Sequence, residues 1–194
     1  MDLIRIFSNF VAVRSLELDL DSIEKLCFEK FTIGSGLISN NQAWIEKEEM
    51  ANGILAPLFS IVEKEFNNIH KEIGLSKKYH QVLKNAWITK DNCYATTIPH
   101  THPTAFFSAV FYVKTPNKCG NIEFMNPNAA QQQMYDLDMV EDYTEFSSTR
   151  FFLEPKANTL IIFPSYLIHY VNENKSDDHR ISIAINSKLV TTDV

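Results

Sequence analysis

Apolar residues recur at helical spacing twice in the first half of the chain, and in short β-rich runs after that. Asp21, with Glu24 three residues on, reads as an acidic variant of the capping box, and Ile23, Leu26, Cys27 and Phe31 then share one face. The second signal is stronger. Ile54, Leu58, Ile61, Val62, Ile69 and Ile73 recur at steps of three and four with Glu63, Lys64, Asn67, Asn68 and Lys71 between them, and Pro57 fits only near the first turn. Beyond Leu75 the expected strands are Gln81 to Thr89, Tyr94 to Ile98, Phe106 to Val113, Asn121 to Phe124, Thr159 to Phe163 and Arg180 to Ser187. Helices followed by many short strands point to a jelly roll or barrel with a helical buttress. A stretch of about thirty residues, 125–156, interrupts the strands. It carries Gln131, Gln132 and Gln133, then Asp136, Asp138, Glu141, Asp142 and Glu145, and reads either as a solvated acidic loop or as a flap over a substrate.

Composition narrows this picture. A chain of 194 residues that is 45% hydrophobic supports one sizeable core, so a single domain over 1–194 is expected, with an N-terminal strand and helices over 1–80 and a β core over 81–194. The net charge of −6 supplies no basic footprint for a phosphate backbone, which argues against a nucleic-acid partner. No apolar run approaches the roughly 20 residues that span a bilayer, so no membrane partner is expected. The first residues show no signal peptide, so a cytoplasmic location is expected. Cys27, Cys93 and Cys119 are too few and too widely spaced for a disulfide framework or a Cys-x-x-Cys metal site, which leaves free thiols. No heptad seam marks an oligomer interface, and the oligomeric state is not legible.

The candidate chemistry lies with the histidines. His100 and His102 flank Thr101 just before an apolar strand, and residues i and i+2 of an extended segment project from the same face, so both imidazoles can reach one ion. His169, after another β-rich run, is the best placed third ligand. Three imidazoles suit Fe(II) or Zn(II) and leave positions open for small ligands. His70, His80 and His179 read as ordinary surface residues. Arg180, Ser182, Ala184 and Asn186 share one face of the last strand, opposite Ile181, Ile183 and Ile185. Such a strand is either half-exposed or, if its polar face looks into a barrel, an anion site in which guanidinium and hydroxyl grip a carboxylate. Trp87, Phe151 and Phe152 read as core aromatics in preference to pocket lining.

Together these residues resemble the Fe(II)- and 2-oxoglutarate-dependent oxygenases, and within them a subgroup of marine bacteria and phages. The resemblance rests on Asn85-Ala86-Trp87, His100-Thr101-His102-Pro103, the run Phe107 to Val113, Cys119 to Phe124, Leu160 to Ser165 with His169, and Arg180 to Asn186, in that order. It implies an α+β, mainly β fold: a double-stranded β-helix, the cupin-like jelly roll, buttressed by N-terminal helices. It also implies Fe(II), 2-oxoglutarate as cosubstrate and dioxygen, with hydroxylation of a small-molecule or peptide substrate as the default outcome. Where the wider family has His-x-Asp or His-x-Glu, this chain has His102, and no carboxylate occurs between Asp91 and Glu123. The resemblance therefore implies either a three-histidine centre of His100, His102 and His169 or a site in which one of the paired histidines stands behind the ligands. By the same resemblance Arg180 and Ser182 hold the distal carboxylate of 2-oxoglutarate. Tyr112 joins them, or else is one more core aromatic beside Phe106, Phe107 and Phe111. The competing function is a non-catalytic jelly-roll module that binds a metal or a small acid.

Overall fold

The computed structural model describes residues 2, 6, 8–34, 36–39, 41–128 and 139–192. Among them the strands form two antiparallel sheets. The larger has the order β1-β9-β6-β11-β4-β3-β2, where β1 is Ala12–Ser15, β2 Leu37–Ser39, β3 Gln42–Ile45, β4 Tyr79–Asp91, β6 Phe107–Lys114, β9 Thr159–Pro164 and β11 Arg180–Thr191. The smaller has the order β5-β10-β7-β8, where β5 is Thr97–His100, β7 Ile122–Met125, β8 Arg150–Leu153 and β10 His169–Val171. Two sheets facing each other with these crossovers make a double-stranded β-helix.

Helices α1 (Leu20–Ile33), α2 (Lys47–Ala51) and α3 (Ala56–Glu72) complete the described elements. α1 starts one residue before the expected acid. Asp19 is its cap, accepting from the Ser22 amide at 3.2 Å, because Asp19 keeps extended backbone angles while Leu20 already turns. α3 takes Pro57 in its first turn as expected. Its buried face, Leu58, Phe59, Val62, Phe66 and His70, is rotated from the expected isoleucine stripe, and Ile54 and Ile73 stay largely exposed. The two phenylalanines bury more area than the isoleucines and decide the facing. These helices cover one face of the larger sheet, where Ile181, Ile183 and Ile185 meet Ile88, Phe111 and α3 in a single apolar cluster. No described helix is long and apolar enough to cross a membrane.

His70 is not a surface residue. Its Nε2 lies 3.0 Å from the Ser76 carbonyl, and its Nδ1 faces Gln81 Nε2 at 3.4 Å, with Gln81 in turn accepting from Ser187. The chain beyond Leu75 supplies the partners that make burial of this imidazole acceptable. His179 is half-buried, edge-on to Phe28 with ring centroids 5.7 Å apart. The N-terminal region does more than buttress, since β1 pairs with β9 and β3 with β4, so it adds strands at both edges of the larger sheet. The expected strand at Tyr94 begins only at Thr97, because Tyr94 adopts φ 66° in a turn. The long interruption ends in β8, and Phe151 and Phe152 on this edge strand are 52% and 62% exposed, so neither is core. Residues 131–133, 136 and 138 lie outside the described part, while Glu141, Asp142 and Glu145 are exposed.

Candidate functional site

Strand pairing brings the three histidines together. His100 ends β5 and is registered directly against His169, the first residue of β10, which is itself registered against Phe124 of β7. His102 follows two residues later, held by its amide hydrogen bond to the Ser165 carbonyl at 3.0 Å. One ligand atom from each of the three lies within 4.8 Å of the others, and among the described residues no other group of three or more metal-ligating side chains does so.

The tautomers of two of them are set by backbone carbonyls, which can only accept. His100 Nδ1 donates to Ile98 O and His169 Nδ1 donates to Leu167 O, each at 2.9 Å, so in both rings the Nε2 lone pair is left for a ligand. His169 Nε2 lies 3.2 Å from His102 Nε2. Two nitrogens at about 2.1 Å from one ion, at an angle near 90–109°, are separated by about 3.0–3.4 Å, so the spacing suits a shared metal. Burial lowers the pKa of His102 to about 4 and of His169 to about 3, with the neighbouring imidazoles adding to the effect. Both are therefore neutral at ordinary pH, as metal ligation requires.

The inner face of the larger sheet continues from this centre in registered rows. Nearest the histidines, Asn186 bonds to Asn85 at 3.0 Å and accepts from Ser108 at 2.8 Å, and Ser108 is also bonded to Ser165 at 2.8 Å. The next row is Trp87, Ala184, Val110 and Ile161, which is mostly apolar. The third is a row of four hydroxyls on four adjacent strands: Thr89, Ser182, Tyr112 and Thr159. Tyr112 Oη is buried with no hydrogen-bond partner, and burial raises its pKa far above the usual phenol value, so it is an O–H donor in need of an acceptor. Below this row Arg180 pairs with Asp91, Nη2 to Oδ2 at 2.7 Å. The expected face of Arg180, Ser182 and Asn186 thus looks into the barrel and is not half-exposed.

A sequence model of the family described as "Putative 2OG-Fe(II) oxygenase" matches residues 85–186, more than half of the chain. This chain belongs to the 2OG-Fe(II) oxygenase family. Its cofactors are accordingly Fe(II) and the cosubstrate 2-oxoglutarate. Solved structures share the fold at low identity. A prolyl-4-hydroxylase from Pseudomonas putida is 14% identical over 93% of this chain and 93% of its own, with a TM-score of 0.65. SnoN, an α-ketoglutarate-dependent epimerase of nogalamycin biosynthesis, is 12% identical over 95% of this chain and 82% of its own, at 0.63. A viral collagen prolyl hydroxylase from Paramecium bursaria Chlorella virus-1 is 16% identical over 92% and 90%, at 0.59. A search of curated proteins found no match.

Within this oxygenase the two clusters expected from sequence are both assembled, His100 with His102 and His169, and Tyr112 beside Ser182 and Arg180. Both fit the cofactors by their donor chemistry: a neutral nitrogen set for the ion, and a row of hydroxyls, one without an acceptor, for a carboxylate. Sequence reasoning missed Asp91, Thr89 and Thr159. Asp91 carried a weak signal, the polar alternation Asn85, Thr89, Asp91 along β4, but its partner lies on another strand. Trp87 is half-buried between Trp44 and His102, with ring centroids 5.8 and 5.6 Å away, and so stands at the centre instead of in the helical core.

Proposed function

We propose that this chain hydroxylates a C–H bond of a small-molecule or peptide substrate, with His100, His102 and His169 as the iron ligands and Tyr112, Ser182 and Arg180 as the site of the distal carboxylate of 2-oxoglutarate. We further propose that it belongs to the branch found in marine bacteria and phages, on the order of motifs quoted above. The observation that carries the reading is the pair of carbonyl-locked imidazoles, His100 and His169, clustered with His102 so that one ligand nitrogen of each lies within 4.8 Å of the others.

The rows of the barrel interior support the cosubstrate's placement. Going inward from the histidines, the mostly apolar row comes before the hydroxyl row, the same order as the two methylenes and the distal carboxylate of a keto acid chelated at its other end. Ala184 leaves width for the methylenes, and Tyr112 Oη supplies the missing donor to the carboxylate. With iron held by these histidines, the bound metal and keto acid would let dioxygen act as the oxidant, one oxygen atom entering the substrate C–H bond and the other going to 2-oxoglutarate, which would leave as succinate and CO2.

The substrate's approach is proposed to lie across the rim formed by Trp44, Ile98 and Phe151, all partly exposed at the histidine end. Ile98 precedes His100 by two residues, and Phe151 is registered against Phe124, which packs 6.1 Å from His169. An apolar rim suits a substrate that presents an aliphatic or aromatic group. Anaerobic addition of Fe(II) and then 2-oxoglutarate to the apoprotein tests the reading. A visible metal-to-ligand charge-transfer band that is lost in His169→Ala is expected, and its absence in folded wild-type protein overturns the assignment.

A further inference from the structure

One row below the proposed position of the distal carboxylate, the chain carries a carboxylate of its own, Asp91. Arg180 is 1% exposed and Asp91 3%, so the two charges face each other in a medium where their coupling is strong. Arg180 spends Nε (3.2 Å) and one Nη2 hydrogen (2.7 Å) on Asp91 Oδ2, and Nη1 donates to the carbonyls of Cys119 and Asn172. Of five N–H donors one remains. The guanidinium is thus charge-balanced, whereas Tyr112 Oη in the next row has no partner.

We propose that Asp91 sets the affinity and selectivity for the cosubstrate: it neutralises Arg180 within the barrel, so that the distal carboxylate of 2-oxoglutarate is held mainly by the hydroxyls of Tyr112 and Ser182. The inference rests on the placement of that carboxylate proposed above. The physical reason is one of sign. A carboxylate bound at the hydroxyl row meets attraction from Arg180 and repulsion from Asp91, so the second charge reduces the pull of the first. Asparagine in place of Asp91 keeps an oxygen to accept from Arg180 Nε, while the carbonyls of Cys119 and Asn172 still hold Nη1, so the guanidinium stays in place with its charge unmasked.

Calorimetric titration of the Mn(II)-loaded protein with 2-oxoglutarate and with 2-oxopentanoate, which has a methyl group in place of the distal carboxylate, tests this without turnover. Wild-type protein is expected to prefer 2-oxoglutarate by less than about thirtyfold, and Asp91→Asn to widen that preference at least about tenfold through tighter 2-oxoglutarate binding. An unchanged or narrowed preference in folded Asp91→Asn overturns the proposal. If Asp91→Asn does not fold, the wild-type preference decides, and a value above that limit overturns it. Failure of the underlying placement looks different: Tyr112→Phe and Arg180→Gln, both folded, would bind 2-oxoglutarate as wild type does. If those two weaken binding while Asp91→Asn does not tighten it, only the role of Asp91 falls.

Discussion

His169 shows how a single residue couples fold to chemistry. Its ring centroid lies 4.5 Å from that of Phe163, its Nδ1–H donates to Leu167 O, and burial holds it neutral. The unfolded chain protonates its histidines as pH falls through about 6.5, while His102 and His169 in the fold stay neutral down to about 4 and about 3. The unfolded state therefore binds more protons over that interval, and stability is lost as pH falls through it. Metal-free protein should melt several degrees lower at pH 5 than at pH 7 by calorimetry, and a flat profile would contradict neutral burial. Tyr112→Phe keeps the packing and deletes the unpartnered donor. It should weaken 2-oxoglutarate binding on the order of three- to tenfold while leaving the ligand-free melting point unchanged or raised, since a buried orphan hydroxyl is costly. At this scale His100 and His102 were legible because a period of two puts both on one face. Asp91 was not, since its role depends on a partner 89 residues away in the chain.

At the scale of elements, the ends of strands are held by a few close contacts. Gly120 adopts φ 86°, and a Cβ there would lie 2.2 Å from the Asn172 carbonyl oxygen. That carbonyl and the neighbouring Cys119 carbonyl are the two that receive Arg180 Nη1. Gly120→Ala should therefore destabilise by about 1–3 kcal/mol and weaken 2-oxoglutarate binding together, read as a lower denaturation midpoint and a higher Kd. Asn174 clamps the same corner, giving its side-chain amide to the carbonyls of Asp91 (3.0 Å) and Asp178 (2.9 Å). On the helical side, Phe66→Ala should cost about 3–5 kcal/mol in urea unfolding while leaving the metal centre assembled, because its ring stacks on Phe107 at 6.0 Å on the opposite face of the sheet. Runs of β-favouring residues made β6 and β9 readable in advance, and alternation did the same for β11, whereas β8 and β10 are three or four residues long and become strands only through their neighbours.

For the whole molecule, the two faces of the larger sheet divide the work. One face is apolar and seals against α1 and α3, and the other carries polar rows into the barrel. Ligands that bind only the folded barrel stabilise all of it. Metal with 2-oxoglutarate at about 100 times Kd should add about 2.7 kcal/mol and raise the melting temperature by roughly 5–10 °C, and His169→Ala should abolish the rise. Local pattern in the sequence determined α1 and α3, the long strands and the side on which Ile181, Ile183 and Ile185 are buried, because each of these follows from residues close together in the chain. The paired histidines and the polar face of Arg180 and Ser182 were determined in the same way. Only the tertiary structure decided that His169 meets His100, that Trp87 stands over His102, that His70 is buried, and that Arg180 is matched by Asp91. Each of those is a contact between distant segments, set by strand register and sheet order, and local pattern carries no information about which strand will lie alongside.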